Sequence, residues 1–241
     1  MKKIEIGYVY HWNKSSMIMI PPEPLAWSAK PESVPKNTKN VMRCPAVIDL
    51  FRQHFVVKAP YDINLKMTVD GKLESPVPGD FATIVPDAMR EVTLFDGPHV
   101  WRYPDKPVCQ LETGISFLSD TPDVHLVLST PFMHYTDWPV LMFPGQFNIY
   151  NWPCRQLKFA FEWHKRETPL VIKRGDPWFY VSFLSKDPEA KYTLVEAERT
   201  EKLDKWSKSI EGVTRFIQDT RALMLLARFR RPKKLIERKK P

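Results

Sequence analysis

Six histidines, His11, His54, His99, His125, His134 and His164, are the side chains whose chemistry could place a metal in this chain. A non-haem iron centre on a β-barrel needs two His and one carboxylate on neighbouring strands, and usually begins as H-x-D or H-x-E. No such triplet occurs. His134-Tyr135-Thr136-Asp137 and His164-Lys165-Arg166-Glu167 are each one residue too long. His125, His134 and His164 are the candidate ligands of an iron enzyme, which is the alternative reading; ordinary half-exposed rings are the plain one. No cofactor is otherwise expected, with iron as that alternative. For covalent catalysis there is no G-x-S-x-G elbow. Cys44 precedes Pro45 at the start of a short helix, where a helix dipole lowers a thiol pKa, while buried structural cysteine is the common case. Cys44, Cys109 and Cys154 are far apart and odd in number, so they read as free thiols of a reducing compartment. Neither a G-x-G-x-x-G nor a P-loop run is present to cradle phosphate. The absence of every catalytic motif points to a binding protein.

The aromatics are dense between Trp138 and Trp178. They form either a ligand-stacking face or a large core. Phe159, Phe161 and Trp163 alternate as core residues do. Trp138-Pro139 and Trp152-Pro153 sit in turns, which makes Trp138 and Trp152 the candidate exposed contacts. The other candidate contact is the basic end. The chain of 241 residues carries a net +8, and residues 228–241 alone hold eight bases and one acid. The remainder is therefore nearly neutral, at about +1. Arg228, Arg230, Arg231, Lys233, Lys234, Arg238, Lys239 and Lys240 read as a tail for a protein partner or, without sequence preference, for nucleic acid. The interleaved Phe229, Leu235 and Ile236 make it more than a charge run.

The elements that must carry these residues are mostly strands. Pro at 23 against Gly at 8 favours short extended segments with stiff connectors. Ile4, Ile6, Tyr8 and Tyr10 alternate within residues 3–10. Residues 21–40, with five prolines, predict a long extended loop wrapped over the body, and residues 45–51 a short helix. Residues 61–69 alternate up to Asp70-Gly71, a type I′ hairpin signal. Further strands are expected at 91–95, 99–103, 108–117, 124–130, 140–143, 146–150, 170–173, 178–184 and 192–196. Another spans 155–165, with Leu157, Phe159, Phe161 and Trp163 inward and Gln156, Lys158, Glu162 and His164 outward. Such short, punctuated strands suggest a mainly β sandwich or a jelly-roll or cupin-like barrel over 1–200. Leu203, Trp206, Ile210, Val213, Ile217 and Met224 then mark an amphipathic C-terminal helix at 201–229, missing one step at Thr220, followed by the basic tail 230–241. No run approaches the roughly 18 apolar residues of a membrane span. Met1-Lys2-Lys3-Ile4-Glu5 lacks a signal-peptide core, so no membrane partner and no secretion are expected.

Several short motifs occur in a characteristic order. They are Pro21-Pro22-Glu23-Pro24, Arg43-Cys44-Pro45, Trp163-His164-Lys165, the run Lys173-Arg174-Gly175-Asp176-Pro177-Trp178-Phe179, and Trp206-Ser207. This order resembles an uncharacterised family of bacterial and tailed-phage β-rich proteins with a Trp-Arg-Phe-like strand end and a Gly-x-Pro corner. The chain departs from it at Trp163-His164, where the pattern has an arginine. The resemblance implies no activity. It implies a phage-associated virion or accessory protein, acting in the virion or the host cytoplasm; the oligomeric state stays open. Gly175-Asp176-Pro177 is also similar to the Gly-x-Pro corner of cupins and trimeric nucleotide pyrophosphatases, a likeness of backbone geometry.

Overall fold

The computed structural model describes residues 2–11, 19–25, 41, 44–67, 73–74, 93–95, 97–152, 154–214 and 216–239, with the backbone alone at 73–74, 93–95 and 100. The Asp70-Gly71 turn, most of the expected wrapping loop (26–40), Arg43 and Lys240 lie outside them. Among the described residues the fold is mainly β, with 38% strand against 18% helix. Four sheets are present among the described residues, and none closes into a barrel.

The first sheet places β1 (Lys3–Tyr10) between β15 (Lys191–Glu196), to which it runs parallel, and the antiparallel β8 (Ile115–Ser119). The second has the order β10 (Val140–Met142), β12 (Lys158–Trp163), β7 (Val108–Glu112), β6 (Thr93–Phe95). The third has five strands: β11 (Gly145–Asn148), β9 (His125–Ser129), β14 (Pro177–Leu184), β3 (His54–Lys58) and β2 (Glu23–Pro24). The last joins β13 (Leu170–Ile172), β4 (Ile63–Met67) and β5 (Leu73–Glu74). Several strands send apolar residues into one shared core: Ile4 and Ile6 from β1, Phe117 from β8, Phe159 and Phe161 from β12, and, across a register shift at 177–179, Trp178 and Phe183 from β14. Trp163 and Trp178 are wholly buried there, so the aromatic third of the chain is chiefly core.

Two corners explain how few residues build four sheets. The single strand expected over 108–117 is two strands in different sheets. Gly114 breaks it with φ 70°, a conformation that costs glycine nothing. Residues on both sides keep their alternation, so periodicity alone cannot show the break. At the second corner Gly175 has φ 90°. There the pair β3–β14 gives way to the pair β4–β13, held by Arg174 N–H donating to Asp62 Oδ1 at 2.7 Å and Ala59 N–H to the Asp176 carbonyl at 2.9 Å. The segment at 99–103, expected extended, begins instead as a 3-10 turn over Pro98–Val100. Cys44 and Pro45 open α1 (Pro45–Arg52) as the sequence suggests.

The C-terminal helix expected over 201–229 is also divided, into α2 (Glu201–Glu211) and α3 (Thr220–Arg230). Gly212 caps the end of α2, and the Asp219 carboxylate accepts the Arg221 N–H at 2.8 Å as the N-cap of α3. The interrupted stripe at Thr220 is the start of a second helix. Leu203, Trp206 and Ile210 of α2 are buried on the outer face of the first sheet, with Val9, Leu118 and Ala197 beneath them. Trp206 Nε1–H donates to the Ala227 carbonyl at 2.9 Å and ties the two helices together.

Candidate functional site

The three candidate metal ligands occupy separate places. His125 opens β9, its ring beside the Gln146 Nε2 and Asn148 Nδ2 amides of β11 at 3.3 and 3.4 Å. His134 lies beyond the other end of β9, roughly 13 Å or more along the strand, with Nδ1 against the Tyr180 hydroxyl. Burial, helped by Lys58, lowers its pKa. His164 is exposed after β12, in another sheet. Among the described residues no three His, Cys, Asp or Glu side chains gather closely enough to hold a metal ion.

A polar cluster that the sequence does not announce sits at the end of β1. His11 Nε2 meets Ser116 Oγ at 2.5 Å, next to buried Cys154. Burial, and then Arg199, bring the His11 pKa down to about 4. Burial likewise pushes the Cys154 thiol up to about 12. A base that weak, a wholly buried serine and an un-ionised thiol make a poor nucleophilic site. The cluster instead satisfies hydrogen bonds where the helical pair packs. Glu162, expected to face solvent, is buried and held by a two-pronged Arg102 contact at 2.8 and 3.2 Å.

The basic tail is not a free appendage, which corrects the reading from charge alone. Arg231, just after α3, has a side chain only 1% exposed. Its guanidinium lies over the Tyr150 ring at 4.0 Å and donates to Asp120 Oδ1 (2.7 Å), the Ser119 carbonyl (2.8 Å) and the Tyr150 carbonyl (2.9 Å). The same Asp120 carboxylate accepts the backbone N–H groups of Leu235 and Ile236 at 2.9 and 3.0 Å. Both side chains are buried. Ile236 seats directly over Gly7 of β1, where a Cβ would come within 3.2 Å of Ile236, Leu118 and Ala197. Residues 237–239 then pair antiparallel beside the end of β15. Glu198 N–H donates to the Glu237 carbonyl at 2.7 Å, and Lys239 N–H to that of Glu196 at 3.0 Å. Arg238 pairs with Glu5, and Lys239 with Glu196.

Three of the candidate cations, Arg231, Arg238 and Lys239, are therefore spent within the chain. Arg230 donates to the Ser209 carbonyl at 3.0 Å. Arg228, Lys233 and Lys234 are exposed and form no ion pair among the described residues, and neither does Arg221 on α3, which the sequence reading passes over. Phe216 (85% exposed) lies in the connection between the two helices, and Leu225 (67%) and Phe229 (88%) lie on α3. Leu225 and Phe229 are one helical turn apart on α3, and Arg221 and Arg228 flank Leu225 on the same side.

Trp138 and Trp152 are not the exposed aromatics. Trp138 is half-buried edge-on against Phe159, and Trp152 against Phe147. The rings that do face solvent in that region are Phe132 and Tyr135, with Met133 between them, in the loop after β9. A turn position says where the backbone is and not where a side chain lies. Compared with known proteins, the chain matches no family model and no curated protein.

Proposed function

We propose that this chain is a non-catalytic binding or assembly protein, and that it meets a protein partner on the outer face of α2–α3. One observation carries the reading. Leu225 and Phe229 are largely exposed one turn apart on α3, with the exposed Arg221 and Arg228 on the same side of the helix, and Phe216 is exposed in the connection that leads into it. Isolated exposed apolar residues are ordinary, but two in one turn of a helix with a charged border, and a third shortly before it in the chain, mark a contact surface. The solvent-facing Phe132 and Tyr135, at the far end of β9, offer a second contact of the kind an assembly protein needs. A phage-associated role, in the virion or the host cytoplasm, belongs to this proposal through the resemblance alone. The proposal also takes the sheets as a jelly-roll-like sandwich. The parallel β1–β15 pair is a departure from the all-antiparallel form.

Selecting a random peptide library against the full chain tests the reading while leaving the partner's identity open. Selected peptides should lose affinity for the triple variant Phe216→Ser, Leu225→Ser, Phe229→Ser, whose circular dichroism and Tm should match the parent because all three side chains are solvent-facing. Equal binding to the variant defeats the assignment of this face.

A further inference from the structure

We infer that the occupant of this face is an acidic amphipathic helix of a protein partner, an inference that rests on the binding role proposed above. The shape comes from α3. Leu225 and Phe229, at i and i+4, form a short apolar ridge along the helix, and such a ridge fits the groove of another helix. The charge comes from its border. Arg221 and Arg228 lie within a turn on either side of Leu225, both exposed and in no ion pair among the described residues, with Arg228 near enough to Asp123 to help hold that carboxyl below its usual range. A complementary surface therefore presents apolar residues one turn apart, bordered by carboxylates.

Three other occupants fit less well. A second copy docked by a two-fold axis through the ridge brings the two arginines of one copy up to those of the other, cation against cation. A nucleic acid gains from phosphate contacts and stacking, yet Leu225 offers no π-face and lies between the two arginines. Exposed Glu211 and Asp219 stand close to Phe216 in the chain, on either side of it. They oppose a continuous phosphate track or an anionic bilayer, while a helix carries its carboxylates at discrete positions and can set them opposite Arg221 and Arg228 alone.

The test uses the full chain and four probes at physiological salt, read by calorimetry or anisotropy. The first is a helical peptide of about 18 residues with Leu at i, i+4, i+7 and i+11 flanked by Glu. The others are its Lys-for-Glu counterpart, an oligothymidine of about 20 nucleotides, and vesicles of phosphatidylcholine with phosphatidylserine. The acidic peptide should bind at least about tenfold more tightly than any of the other three. Leu225→Ser with Phe229→Ser should weaken it about tenfold or more, and Arg221→Gln with Arg228→Gln should weaken it and flatten its salt dependence. Unchanged Tm in each variant shows that the fold is intact. Preference for the basic peptide, the oligonucleotide or the vesicles overturns the inference; if that binding is lost in Leu225→Ser with Phe229→Ser, the face remains a binding face. Acidic-peptide binding that ignores both pairs of substitutions overturns the inference and removes the face as well.

Discussion

Replacing Asp120 by Asn is the sharpest test of how the C-terminus is held. The substitution keeps the side chain's shape and removes its charge. Arg231, whose side chain is 1% exposed, then has no counter-ion among the described residues. Breaking a buried ion pair by removing one partner costs about 3–5 kcal/mol. One amide oxygen must also serve the Leu235 and Ile236 N–H groups that two carboxylate oxygens serve now. The expected loss is therefore about 4 kcal/mol, a large part of the roughly 5–15 kcal/mol that holds a domain together. Arg231→Met removes the charge from the other side. It leaves Asp120 partly solvated with two amide donors, and should cost about 2–3 kcal/mol through the lost charged hydrogen bonds. Urea unfolding followed by tryptophan fluorescence reads both, since Trp206 lies 5.9 Å from the guanidinium. The double variant should show a coupling of about 2 kcal/mol. Single losses under about 1 kcal/mol with no coupling would place this pair among ordinary surface salt bridges and refute the reasoning. The same arithmetic bears on deletion. Removing residues 231–241 also strips Leu235 and Ile236 from the apolar cluster between α2 and the first sheet, at about 1.5–3 kcal/mol each. Such a truncation tests folding before it tests binding.

Three further outcomes are expected. His11 is held near pKa 4 in the fold against 6.5 unfolded, so the unfolded chain binds more protons between those values. Its contribution is full above pH 6.5 and fades as pH falls toward 4, with about 2 kcal/mol lost from pH 7 to pH 5. His11→Gln should flatten that part of the urea-stability profile, and parallel profiles for the two proteins would count against it. Gly7→Ala pushes a methyl to within 3.2 Å of Ile236 and should cost about 1–3 kcal/mol by overpacking; a neutral effect means the seat is looser than described. Zinc or ferrous iron in excess should leave Tm unchanged, because His125, His134 and His164 do not converge; a rise abolished by substituting these histidines would restore the metal reading.

Much of the β framework is legible in the sequence, for a physical reason. Strands such as β1, β9 and β12 bury one face more deeply than the other, and that asymmetry is written as alternation. What alternation cannot carry is the moment a strand changes sheets. Thr113-Gly114 leaves the pattern intact and alters only the partner. The division of the C-terminal helix had a signal, Asp219-Thr220 at the interrupted step, which is an N-cap pair. The fate of the tail had only a faint one. Leu235 and Ile236 hint at burial, but Asp120 is 111 residues from Arg231 and nothing local links them. Net charge counts cations and does not say which are already answered. Exposure of Phe216 and Leu225, like the half-burial of Trp138, depends on what packs nearby and is settled only by tertiary structure.

Hydrogen exchange at single amides tests the central claim most directly: that the C-terminal segment is part of the folded body, leaving the outer face of α2–α3 free for a partner. The amides of Leu235, Ile236, Glu198 and Lys239 should be protected in the parent protein. In Asp120→Asn the Leu235 and Ile236 amides should lose protection first, while Phe159 and Phe161 keep theirs. Exchange of Leu235 and Ile236 at free-peptide rates in the parent protein would contradict the account.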